Sequence, residues 1–168
     1  MSVARRMGSL ISTAQVQEWI TRLSKAEFNW SNSDQSGQIL GLTLLERVGG
    51  RSTFIAPDGV LVDFYAYAGS LTAIELVIDS AEADGLPETD YEDVVDAYYA
   101  KFKNTVRLTV EVLGAPAFCD GMAAPGFPAD QDSVWLALWP LTRARLMIQQ
   151  KHEGREIPFR LSIVAAPP

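Results

Sequence analysis

Sulfur and imidazole are nearly missing from this chain: 168 residues hold one Cys and one His. A single Cys excludes an internal disulfide framework and any Cys-rich metal site, and it suits a reducing compartment. Long apolar runs are missing too; none approaches the roughly 18 residues that a membrane span needs. The N-terminal "MSVARRMGSLISTAQ" carries two Arg but no apolar core region, so it does not read as a secretory signal. Bases are scarce: 14 Lys and Arg stand against 21 Asp and Glu, for a formal net charge of −7. That balance argues against nucleic acid, because phosphate contacts need clustered cations. Dinucleotide, P-loop, zinc-protease and nucleophile-elbow motifs are all absent. The expectation is a cytoplasmic protein that is not an enzyme and needs no cofactor or metal.

The composition that remains is globular, 48% hydrophobic and 21% charged. The length suits one α+β domain over 1–168, with 1–10 read as a flexible tail. Ser12 and Gln15 fit a capping box, with Ile11 and Val16 as a hydrophobic staple, and Val16, Trp19, Ile20 and Leu23 follow on one helical face. "AEFNWSNSDQSGQ" breaks the pattern, and Ile39–Val48 fits either a short helix or a strand. "STFIA", "GVLVDFYAY" and "LTAIELVID" then alternate in twos across turn signals. Val62, Phe64, Ile74, Leu76 and Ile78 fall on one side; Asp63, Tyr65, Glu75 and Asp79 fall on the other.

A second long helix is predicted from a capping box of Thr89 and Glu92, with a stripe through Val94, Val95, Tyr98, Phe102, Val106, Thr109 and Leu113. Gly114 and Pro116 supply its stop. Three further strands follow: "VWLALWP", "RARLMIQQKHE" and "IPFRLSIVA", joined by "PLT" and "GRE" turns. The first is expected to turn Val134, Leu136 and Leu138 to the core and Trp135 and Trp139 away. In the others Leu146, Ile148, Phe159, Leu161 and Ile163 face the core, opposite Arg145, Met147, Gln149, Lys151, Arg160 and Ser162. The predicted architecture is an antiparallel sheet of two β-meanders with two main helices on one face.

Candidate sites are few. From Asp79 to Asp96 there are eight acids and no base. This is either a solvated approach to the long helix, where acids favour the N-terminal end of the dipole, or a face that steers toward a basic partner. "DGLPETDYEDVVD" matches a calcium loop in acidity but not in ligand spacing or central Gly. Cys119 with His152 is the one available thiol–imidazole pair, with no sign of an orienting group or oxyanion donors. Read plainly, it is an exposed turn His and an incidental Cys.

The richer signal is aromatic. Trp135 and Trp139, with Tyr65 and Tyr67, are expected on the sheet face away from the helices, either sealing a second small core or forming an interface patch. Beside them runs "GAPAFCDGMAAPGFPADQD", nineteen residues from Gly114 to Asp132. Unpatterned connections of that length are usually binding loops, lids or disorder. The predicted partner-binding residues are Phe118, Asp120, Met122 and Phe127 in this loop, with Trp135, Trp139 and Arg145 from the sheet.

The order of features also carries a resemblance. A capped helix with a Trp precedes "FNWS", an antiparallel meander, a long acid-capped helix ending in "LGAP", then "VWLALWP" and a final hairpin. This order resembles small actinobacterial immunity proteins of secreted polymorphic toxins, in particular the type that neutralises an NAD-hydrolysing necrotizing toxin. The resemblance implies an acidic cytoplasmic antitoxin that occludes the active site of a cognate toxin with a basic or cationic cleft. It implies no catalytic residues, and no membrane or nucleic-acid partner. The alternative of another class is a dedicated chaperone or adaptor for a secreted protein.

Overall fold

The computed structural model describes residues 11–152 and 158–168. The expected tail at 1–10 and the "GRE" turn lie outside them. In chain order the elements are α1 (Thr13–Lys25), α2 (Ser33–Ile39), β1 (Thr43–Val48), β2 (Arg51–Ile55), β3 (Leu61–Tyr67), β4 (Ser70–Ala81), α3 (Glu88–Leu113), β5 (Phe118–Gly121), β6 (Trp135–Pro140), β7 (Arg145–Lys151) and β8 (Phe159–Ala166). The class is α+β, as the two periodicities imply.

All eight strands join one sheet, in the order β1-β2-β3-β4-β8-β7-β6-β5, and every neighbouring pair is antiparallel. Two four-stranded meanders therefore meet at β4 and β8 in the middle. Helix α3 is the crossover between them. It leaves β4 at the centre of the sheet and delivers the chain to β5 at the far edge.

Helix α1 starts as its sequence predicts. The Ser12 side chain accepts a hydrogen bond from the Gln15 amide, and the Gln15 side chain accepts one from the Ser12 amide. These satisfy two of the free N–H groups of the first turn. Val16, Trp19, Ile20 and Leu23 are buried. The ambiguous stretch around Ile39 is both things in turn: α2 ends at Ile39, and β1 begins at Thr43. Gly41, at φ 68°, makes the reversal in the left-handed region that favours glycine.

Two local expectations are corrected. Helix α3 has no Thr89–Glu92 capping box; it begins two residues earlier, behind Pro87, whose φ of −54° is close to helical. Asp79 does not fall on the outer face with Glu75. The β4–β8 register shifts between Val77 and Asp79, and the bulge turns Asp79 under α3. There Asp79 accepts hydrogen bonds from the Tyr98 hydroxyl at 2.9 Å and the Lys101 ammonium at 2.5 Å. The acidic run thus contributes one carboxylate to the interior.

The main core lies between the sheet and the helices. Helix α3 buries Tyr98, Phe102, Thr105, Leu108 and Thr109. Opposite them stand Ile74, Leu76, Phe159, Leu161, Ile163, Leu146 and Ile148. Each such side chain removed from water contributes roughly 1.5–3 kcal/mol, so this layer holds the sheet rigid beneath whatever its other face does.

Candidate functional site

The sheet's other face is the informative one. Residues directly opposite in an antiparallel ladder share a face, and one row can be followed through all eight strands. It runs Glu46, Thr53, Asp63, Glu75, Val164, Met147, Leu138, Phe118. The first four are polar, three of them carboxylates; the last four are apolar. The change falls where the two meanders meet.

The apolar half is covered. The connection after β5 folds back over it, and Phe127 and Phe118 pack with Leu138 around a second cluster of Leu136, Met147, Val164 and Ala166. The two Phe rings meet edge to face, with centroids 5.8 Å apart. Polar ties hold the cover down. Arg145 grips Asp130 with Nη1–Oδ1 at 3.1 Å and Nη2–Oδ2 at 2.6 Å, and its Nε donates to the Pro167 carbonyl. Gln149 Nε2 donates to Gln131 Oε1 at 2.7 Å. Each partner holds the other in its charged form: hydrogen bonding from Arg145 keeps Asp130 below the ordinary aspartate range, and hydrogen bonding to Asp130 raises Arg145.

The polar half is open. Its outer side chains come from β1–β4, and β1 is exposed along its whole length. Val48 and Leu61 are exposed apolar groups on it, and Tyr67 stands beyond them 81% exposed. Asp63 lies directly across from Glu75, a like-charge pairing that a sheet ordinarily avoids. Both are partly compensated. Thr53 donates its hydroxyl to Asp63 at 2.5 Å, while Ser162 donates to Glu75 at 2.7 Å and Arg160 Nε lies 3.3 Å from it.

A cleft of about 250 Å³ opens where the cover ends, between Tyr65 on the open side and Gln131 on the covered side. Glu75 and Gln149 line its buried part, and Lys151 and Arg160 its rim. The Tyr65 phenol is pushed up to about 12, first by burial and then by the negative charges of Glu75 and Asp63. It is a neutral hydroxyl at any physiological pH.

The residues expected to bind a partner divide three ways. Met122 (61% exposed) and Asp120 are exposed where the cover leaves β5, with the Asp120 carboxylate accepting from the Gly121 amide at 2.7 Å. Phe118, Phe127 and Arg145 are on the outer face but are engaged in holding the cover to the sheet. Trp135 and Trp139 are on the opposite face, which corrects the expected orientation of β6. Trp135 stacks on Tyr99 of α3 at 4.5 Å between centroids, and Trp139 is buried with its Nε1 donating to the Gly114 carbonyl. Leu136 and Leu138 face outward under the cover instead. Both sides of β6 are apolar, so alternation separates its faces without telling which meets the helices.

Cys119 and His152 do not form a pair. β6 separates the strand of Cys119 from β7, at whose end His152 lies, a spacing of about 10 Å across two strands. His152 stacks on Phe159 at 4.5 Å, and burial lowers its basicity. The Cys119 thiol is pushed up, by desolvation and then by Asp120, which disfavours the thiolate.

Glu75, Gln149, Lys151 and Arg160 were not singled out by the sequence, although alternation put each on the side away from the core. The missing information was the β4–β8 pairing, which brings residues about 85 positions apart into one cleft. Among the described residues no group of three or more metal-ligating side chains occurs, and no helix is long and apolar enough to cross a membrane. No protein-family model, curated protein or solved structure matches this chain.

Proposed function

We propose that this protein is a non-enzymatic immunity protein of the cytoplasm that binds a secreted toxin and covers its active site. NAD glycohydrolases are the class of toxin to test first. The observation that carries this reading is the open half of the outer face, where the carboxylates of Glu46 and Asp63 stand outward in one row, with Glu75 buried at its inner end. Adjacent like charges weaken a sheet, and a partner of opposite charge would relieve what Thr53, Ser162 and Arg160 leave uncompensated. With a net charge of −7, the partner that fits is basic, or presents a cationic cleft. Met122 and Asp120 are exposed at the opposite edge of the sheet, beside β5, and would offer a separate apolar and acidic contact. Phe118 and Phe127 act indirectly, by holding the cover against the sheet.

The exposed edge of β1 favours a second reading. An open edge strand offers unpaired N–H and C=O groups to an extended segment of another chain, which is how a dedicated chaperone or adaptor for a secreted protein would hold its client. Co-expression separates the two. If a secreted protein with a C-terminal toxin domain is encoded next to this one, an immunity protein restores growth to cells producing the active domain. It also abolishes the domain's activity at one-to-one stoichiometry in vitro. A partner that becomes more soluble or better exported while keeping full activity overturns the immunity reading and supports the chaperone.

A further inference from the structure

The cleft at the junction of the two half-faces contains groups that the partner reading does not use. Gln149 is fully buried, and both hydrogens of its amide nitrogen are directed to acceptors, Gln131 Oε1 at 2.7 Å and Met147 Sδ at 3.5 Å. Its Oε1 is buried with no donor. Native interiors satisfy nearly all such atoms, because a buried acceptor left bare keeps its full desolvation penalty. The Gln149 side chain lines the cleft, so a molecule seated there can supply the missing N–H.

The cations point to the rest of that molecule. Glu75 is almost completely buried; its Oε1 accepts a hydrogen bond from Ser162 and lies 3.3 Å from Arg160 Nε in an ion pair. Arg160 approaches Glu75 with Nε at 3.3 Å, and its two terminal nitrogens make no hydrogen bond among the described residues. Lys151 has no ion pair among the described residues. Within an acidic protein, then, this cleft has one carboxylate and two cations, and it favours an anion that can take two donors at once. Tyr65 closes the opposite wall and stays uncharged, so it does not repel that anion.

We propose that the cleft binds a carboxylate carrying an amide N–H on the adjacent carbon, the chemistry shared by an N-acylated amino acid and the C-terminus of a polypeptide. The carboxylate lies between Lys151 and the terminal nitrogens of Arg160, and the amide N–H is donated to Gln149 Oε1. This proposal stands apart from the identity of any protein partner.

The test uses the intact protein, with amide chemical shifts followed by NMR as N-acetylglycine is added. Saturable shifts at Gln131, Gln149 and Lys151 are expected, with affinity on the order of millimolar for so small a ligand. Acetate, which has no N–H, and N-acetylglycinamide, which has no carboxylate, should each bind about tenfold more weakly or worse. Lys151→Gln, at the rim, should weaken binding without changing the fold. Gln149→Met keeps the side-chain volume and should remove the preference for N-acetylglycine over acetate. If Gln149→Met does not fold, the acetate comparison on the unaltered protein still decides the role of the N–H. A tetrapeptide tested with free and amidated C-termini identifies the source. Tighter binding of the free form than of N-acetylglycine points to a chain terminus, and weaker binding to a free small molecule. No saturable shift, or equal binding of acetate and N-acetylglycine, overturns the proposal.

Discussion

Arg145 of β7 holds Asp130 of the covering segment through two parallel contacts, 3.1 Å and 2.6 Å. This pair ties an otherwise unpatterned connection to the outer face of the sheet, and with Phe127 it decides which half of that face is closed. Arg145 is more protected than its partner, with side-chain exposures of 24% and 55%. Removing the carboxylate therefore costs little global stability, about 0.2–1 kcal/mol, but it frees the cover. Asp130→Asn should speed amide exchange from Met122 to Gln131 while leaving α3 and β8 unchanged. Uniform acceleration everywhere would contradict that local role.

Acid should act on the same pair. Asp130 titrates below its usual range in the folded protein. The stability it contributes is therefore present above the ordinary aspartate range and is lost as pH falls through the lower, folded value. The cover should loosen below about pH 4, before the core unfolds. Exchange of the Gln131 amide, followed downward in pH for the natural protein and Asp130→Asn, reads this out; the variant should lack the acid-dependent step.

Tyr65 gives an effect at the other end of the scale. Its folded value near 12 lies above the ordinary value of 10, so the folded state keeps a proton that the unfolded chain has released. Its contribution is complete below pH 10 and disappears as pH rises toward 12. Urea denaturation between these limits should show stability declining with pH, and Tyr65→Phe should flatten that decline. An equally steep decline in the variant would assign it to other groups.

Asp63→Asn separates stability from binding. It removes the like-charge opposition to Glu75 and keeps an oxygen for the Thr53 hydroxyl, so stability should rise by about 0.2–1 kcal/mol. Association with a basic partner should become slower and less dependent on salt. Denaturation midpoints and association rates at two salt concentrations check the two halves. A loss of stability would mean that the carboxylate is needed for the fold.

Trp139→Ala tests the orientation of β6. With its ring buried and its Nε1 bonded to the Gly114 carbonyl, truncation should cost about 3–5 kcal/mol. A comparable loss of stability from Met122→Ala, at an exposed position, would contradict the placement of the two residues.

Much of the fold is legible in the residue pattern. Val62 and Phe64, Ile74 and Leu76, and Leu161 and Ile163 alternate with polar neighbours, so local chemistry alone assigns their core side. The Ser12–Gln15 box starts α1 and Gly114 stops α3, because free backbone groups at helix ends accept only a few partners. Glu75, Lys151, Arg160 and Ser162 are likewise assigned away from the core. Alternation is a local property, however, and it says nothing of which strand lies beside which.

Tertiary structure decided the rest. β6 is apolar on both faces, and only the meeting of Trp135 with Tyr99 and the packing of Leu136 and Leu138 in the outer cluster settled which face the helix took. Asp79 turned inward because a bulge added one residue to the count. The cleft exists because β8 pairs with β4, a contact between residues too distant in the chain for periodicity to relate. Composition and period by themselves determined the class and the two faces of most strands. Strand order, and with it the open half-face and the cleft, came from packing, since long-range pairing depends on the burial of all the elements together.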